Sequence, residues 1–186
     1  ETIKEKLDLV KAADPFAIAM DIDGAGLPFL KNMTPPAGSK TVEELQQIVA
    51  WAEKPFILKG IMTVAGAQKA LEAGAKGIVV SNHGGRVLDQ CPSSAEVLPA
   101  IADAVGSKMT ILVDGGIRSG MDVFKALALG ADGVLIGRPF INMIYGAGAE
   151  GVKVYVEKLK AELEDTMAMC GAHSLADIKR SMIYGY

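Results

Sequence analysis

The chain has 186 residues, 50% of them hydrophobic but only 5% aromatic, with two cysteines and a formal net charge of −3. That length suits one domain with a sizeable core, and it falls short of the ~250 residues of a complete eight-unit βα barrel. Lys and Arg total 19 against 22 Asp and Glu, which leaves no cationic surplus for nucleic acid or an anionic membrane, and no uncharged stretch exceeds 11 positions, short of the roughly 20 apolar residues of a bilayer-spanning helix.

In chain order, Glu1 to Lys11 alternates charged with apolar residues at helical spacing and has no secretory h-region. A strand is predicted over Phe16–Asp21. The connection from Gly24 to Lys40 contains Pro35-Pro36 and is long enough to read equally as a lid or as a disordered segment. Helices are predicted over Val42–Lys54, Ala65–Ala73, Ala95–Val105 and Asp122–Leu129, with a long final helix over Val152–Met169. Thr41-x-x-Glu44 and Ser93-x-x-Glu96 match capping boxes, and Pro99 is expected to push the start of its helix later. Between the helices lie short Val- and Ile-rich strands over Phe56–Lys59, Gly77–Ser81, Thr110–Val113 and Gly133–Ile136, of the kind buried on both faces of a parallel sheet. The alternation is that of an α/β fold.

An internal echo favours a barrel. Ala70-Leu-Glu-Ala-Gly-Ala-Lys-Gly-Ile-Val-Val-Ser81 resembles Ala126-Leu-Ala-Leu-Gly-Ala-Asp-Gly-Val-Leu-Ile-Gly137, two βα units further on. Such spacing suits a (β/α)8 TIM-type barrel whose alternate strands are equivalent, with about five units present here as an incomplete barrel in a single domain, residues 1–186.

Polar residues gather where the strands end. Asp21 and Asp23 close the first strand, Lys59 the second, Ser81-Asn82-His83 the third, Asp114 the fourth, and Gly137-Arg138 the fifth. In a βα barrel these ends form the active-site face. Asp114-Gly-Gly-Ile-Arg-Ser-Gly120 and Ile136-Gly-Arg-Pro139 suit a phosphate grip, in which glycines admit inward-pointing amides and Arg118 and Arg138 supply charge. In Ser81-Asn-His-Gly-Gly-Arg86, His83 is the side chain best suited to accept a proton near neutrality, and Arg86 can hold a carboxylate. Cys91 and Cys170 stand far apart and read as reduced thiols of a cytoplasmic protein; with only His83 and His173 beside them, no metal site is expected. Gly146-Ala-Gly-Ala-Glu-Gly151 matches G-x-G-x-x-G without a strand leading into it, and His173 lies in a polar turn, so both are set aside.

Leu58-Lys-Gly-Ile61, Ser81-Asn-His-Gly-Gly-Arg86, Asp114-Gly-Gly-Ile-Arg118 and Gly137-Arg-Pro139 together resemble the FMN-dependent 2-hydroxy-acid oxidase and dehydrogenase family, which includes glycolate and lactate oxidases. The resemblance implies a βα barrel with FMN at the C-terminal ends of its strands. It implies Lys59 near the flavin N1 and O2, Ser81 at the pyrimidine edge, and Asp114, Gly115, Gly116, Ile117, Arg118, Gly137 and Arg138 along the ribityl phosphate. His83 would be the catalytic base paired with Asp23, and Arg86 the anchor of the substrate carboxylate. It further implies that the chain is the C-terminal portion, barrel strands 4 to 8, of an enzyme oxidising an L-2-hydroxy acid. Such a portion is expected to be inactive alone and to be completed by an N-terminal barrel segment or a second copy, in a homo-oligomer. A non-catalytic, self-associating half-barrel that binds phosphate or flavin, or another FMN-dependent barrel enzyme such as an isomerase, are the alternatives.

Overall fold

The computed structural model describes residues 2–26, 30, 32–33 and 38–186. Helix α1 (Thr2–Lys11) precedes β1 (Ile18–Asp21) and a short 3₁₀ turn, Asp23–Gly26. Then follow α2 (Val42–Ala52), β2 (Phe56–Ile61), α3 (Val64–Glu72), β3 (Gly77–Val80), α4 (Ser94–Val105), β4 (Thr110–Val113), α5 (Gly120–Ala128), β5 (Gly133–Val134) and α6 (Arg138–Cys170). The Gly24–Lys40 connection, which reads equally as a lid or as a disordered segment, lies partly outside the described residues.

The strands form one parallel sheet in the order β1-β2-β3-β4-β5. A doubly wound sheet reverses its strand order and so carries helices on both faces. Here the order never reverses, and right-handed crossovers keep the helices on one side, as in a barrel wall. Register then sorts the side chains. Met20, Leu58, Ile78 and Ile111 pair in one row, and Leu58, Ile78 and Ile111 are fully buried in the core that holds Ala67 and Ala70 of α3 and Leu98 and Ile101 of α4. Each such aliphatic side chain contributes about 1.5–3 kcal/mol by leaving water. One residue further along, Asp21, Lys59, Val79, Leu112 and Gly133 form the next row, on the opposite, inner face. The fold is thus α/β, with a five-stranded parallel sheet forming part of a barrel.

Local chemistry sets the helix starts. Thr41 accepts the Glu44 amide while Glu44 accepts the Thr41 amide, and Ser93 and Glu96 do the same. That second box fixes α4 at Ser94, so Pro99 lies inside the helix and does not delay it; its ring removes one amide donor there. A third box, Ser119 with Asp122, begins α5 at Gly120, two residues before the expected start.

Other boundaries differ as well. Strand β1 begins at Ile18 and leaves Phe16 92% exposed. Strand β2 extends through Gly60 to Ile61, with a register shift between Lys59 and Ile61, whereas β5 ends at Val134. The final helix starts at Arg138 and breaks at Ala147–Gly148. Pro139 in its first turn is the sequence signal for that start. The Gly-rich stretch 146–151 is this break: a Cβ on Gly151 would come within 2.4 Å of the Met143 carbonyl oxygen, so glycine lets the two helical segments close on each other. His173 is exposed, and its amide donates to Asp177 Oδ2. Both cysteines are free. Among the described residues no helix is long and apolar enough to cross a membrane.

Candidate active site

The C-terminal ends of β1 to β4 bring Asp21, Asp23, Lys59, His83 and Asp114 together. Asp21 is the register partner of Lys59, which places its Oδ1 2.7 Å from the ammonium. His83 Nδ1 lies 3.2 Å from both oxygens of Asp23, 3.5 Å from Lys59 Nζ and 4.0 Å from Asp21 Oδ1. A carboxylate only accepts, so Nδ1 carries the proton toward Asp23 and Nε2 is left as the basic nitrogen. Lys59 and protonated Nδ1 are both donors, so their approach is a contact and not a bond. Asp21, Asp23 and His83 bring ligand-type atoms within 4.8 Å of one another, but the Lys59 ammonium already stands among them as the neutralising cation.

Two backbone features aim this pair. The first is Gly60, at φ 104, where a Cβ would lie 2.7 Å from Asp23 Cβ and Cγ. Asp23 can lie against β2, 9% exposed at its side chain and behind His83, only because Gly60 has no side chain. The variant Gly60→Ala is expected to lose about 1–3 kcal/mol from the strained φ alone, more with the clash, and to push Asp23 off His83. Chemical denaturation measures the first effect, and the line width and shift of the His83 ring protons measure the second. The second feature is His83 itself, at φ 57, one of four non-glycine residues at positive φ among the described residues. Its amide donates to Ser81 Oγ, and its carbonyl accepts Arg86 Nε at 3.0 Å. Strain of this kind persists where surrounding bonds hold it, commonly at functional positions.

Next to His83 a cavity of about 360 Å³ opens, lined by Lys59, His83, Gly84, Arg86, Asp114, Gly115, Gly116, Ile117, Arg118, Leu135, Ile136, Gly137, Arg138 and Ile141. Its volume is that of a cofactor-sized site. Four cations face it, at Lys59, Arg86, Arg118 and Arg138, while Ile117, Leu135, Ile136 and Ile141 give it apolar walls. Of the residues expected at a cofactor, only Ser81 is not in the lining; it is fully buried and supports the His83 turn from beneath. Asp23 also stands behind the wall, which suits a residue acting through His83.

The residues fit FMN on two counts. Asp114 Oδ1 is buried at the cavity wall with no hydrogen-bond partner, an acceptor awaiting a donor such as a ribityl hydroxyl. Gly116, at φ 83, and Gly137 have open space where a Cβ would be, beside Arg118 and Arg138, an arrangement that would suit a phosphate.

Several supports have only a faint sequence signal. Ser94 Oγ donates to the Asp114 carbonyl and holds the strand end below Gly115. Asp122 Oδ2 accepts the amides of Arg118 and Ser119, both at 3.0 Å, and the Ser119 hydroxyl at 2.9 Å. Burial pushes the Asp122 carboxyl up, but these hydrogen bonds, with the Lys125 charge, hold it below the usual carboxylate value. The spacing Ser119-x-x-Asp122 is the one clue to this brace in the sequence.

The sequence profile of the FMN-dependent dehydrogenase family matches residues 18–185. An L-lactate oxidase from a Roseobacter species is 45% identical over 78% of this chain and 40% of its own length. A peroxisomal (S)-2-hydroxyacid oxidase from Arabidopsis thaliana is 48% identical over 77% of this chain and 39% of its own. A mandelate oxidase variant solved with a monooxide FMN adduct superposes with a TM-score of 0.84 at 41% identity, over 96% of this chain and 58% of that one. The chain therefore spans about 40% of the length of those curated relatives. On the breadth of these matches, the chain belongs to the FMN-dependent dehydrogenase family.

Proposed function

We propose that the protein is the C-terminal part of a flavoenzyme that oxidises an L-2-hydroxy acid to the 2-oxo acid, with FMN in the cavity beside His83. The observation that carries this reading is the pairing of two sites in one cavity: a proton acceptor, His83 backed by Asp23, and a two-arginine, two-glycine phosphate cradle. Bound FMN supplies the acceptor for the two electrons that leave the substrate Cα.

The chain's own residues do the rest. Arg86 binds the substrate carboxylate, with its Nε anchored on the His83 carbonyl so that anchor and base move together. His83 Nε2 takes the substrate proton, and Asp23 stabilises the imidazolium so formed, as the carboxylate of a His–Asp pair does. Arg118, Arg138 and the amides around Gly116 would hold the phosphate, and Asp114 Oδ1 would accept from a ribityl hydroxyl. Lys59, tempered by its ion pair with Asp21, would place positive charge beside the bound flavin. Ser81 acts through the His83 turn. The inner face of the five-stranded sheet is closed by an N-terminal barrel segment or by a second copy of the chain.

Product analysis tests the assignment. The flavin-loaded protein, completed by the N-terminal segment of a close relative, is expected to convert an L-2-hydroxy acid to a 2-oxo acid trapped as its hydrazone. It should leave the matching alcohol without a carboxylate untouched. Equal turnover of both, or of neither while FMN remains bound, contradicts the proposed activity.

A further inference from the structure

Tyr155 lies on α6, far from the cavity in sequence and outside every motif discussed above, yet its side chain reaches the phosphate cradle. It is 7% exposed, and its hydroxyl donates to the Arg118 carbonyl at 3.0 Å across 37 residues. Its ring meets Phe140 edge-on, with centroids 5.2 Å apart at 75°. Phe140 closes the turn that carries Arg138, its amide donating to the Gly137 carbonyl at 3.0 Å. One side chain therefore touches both arginine-bearing loops. The Arg118 peptide is held from two directions, its amide by Asp122 and its carbonyl by Tyr155.

We infer that Tyr155 is a positioning residue for the phosphate grip, fixing the Arg118 loop and the start of α6 in the spacing that lets Arg118 and Arg138 close on one phosphate. This rests on the proposed flavin reading of the cavity and adds to it a residue that no cavity-lining motif contains. Packing alone would require the ring; the hydroxyl is required only if the Arg118 carbonyl must be held. Removing the Tyr155 hydroxyl takes away the part-buried side-chain donor to the Arg118 carbonyl and leaves the loop free to shift.

Tyr155→Phe in the full chain separates the two roles. Amide hydrogen exchange without any flavin should speed up at Arg118 to Gly120. FMN affinity should fall by about three- to tenfold, the usual net weight of one hydrogen bond, with riboflavin affinity unchanged because it lacks the phosphate. Tyr155→Leu, which also removes the ring packing, should weaken FMN further. Unchanged exchange with unchanged FMN affinity in Tyr155→Phe overturns the inference, and an equal loss for FMN and riboflavin reduces Tyr155 to a packing residue. A wild-type chain that binds FMN no better than riboflavin overturns the phosphate cradle itself; the exchange measurement, made without ligand, then decides the clamp on its own.

Discussion

His83→Asn in the flavin-loaded protein is expected to slow substrate reduction of the flavin by about 10²–10⁴-fold, the usual contribution of a positioned general base, while FMN binds as in the wild type. Asn is the informative replacement because it tolerates the left-handed backbone that His83 adopts at φ 57. An Ala or Val there would confound lost chemistry with backbone strain. The loss should appear in kcat and in kcat/KM alike, since a proton acceptor is engaged in the transition state and not in substrate binding. Stopped-flow absorbance under anaerobic conditions measures it. A variant that reduces flavin at the wild-type rate would remove His83 from the chemistry, whatever its distance from Asp23.

The second large effect falls on Arg86. Arg86→Met is expected to raise KM for a 2-hydroxy acid by roughly 10- to 150-fold, the range for a charge-assisted hydrogen bond lost to a carboxylate, with a smaller change in kcat. Because Arg86 Nε also donates to the His83 carbonyl, Met removes a support of the His83 turn as well. Arg86→Lys keeps the charge but not the fork, so it should recover part of the affinity. If kcat falls as far as KM rises, Arg86 acts mainly by holding His83, and the carboxylate anchor lies elsewhere.

Much of this was legible from residue order alone, for physical reasons that can be named. Phe56–Leu58, Ile78–Val80 and Ile111–Val113 are apolar without interruption because a parallel sheet under helices buries both faces, and the capping hydroxyls Thr41 and Ser93 mark helix starts by satisfying local donors. The site motifs were visible because glycines and arginines at strand ends have little structural reason to recur. What escaped was non-local or depended on backbone shape. Pro99 is tolerated inside α4 because the Ser93–Glu96 box fixes the start upstream. The periodicity places the final helix only from Val152, because the glycines at 146, 148 and 151 interrupt it, whereas α6 begins at Arg138 and merely breaks at Ala147–Gly148. Gly60 reads as a simple strand-end glycine until the Asp23 side chain is seen lying where its Cβ would be. Asp21 could be seen at a strand end, but its 2.7 Å pairing with Lys59 follows from sheet register. Tyr155 carries no motif at all; its role comes from a helix returning over the phosphate loops.

As proposed, one cavity joins a flavin phosphate grip to a 2-hydroxy acid oxidation centre. Its most direct test is the visible spectrum of the protein, completed by a relative's N-terminal segment and loaded with FMN, on anaerobic addition of an L-2-hydroxy acid. The flavin's visible absorption is expected to bleach, and His83→Asn is expected to abolish most of the bleaching while retaining FMN. A bound flavin that stays oxidised across a panel of L-2-hydroxy acids would contradict it.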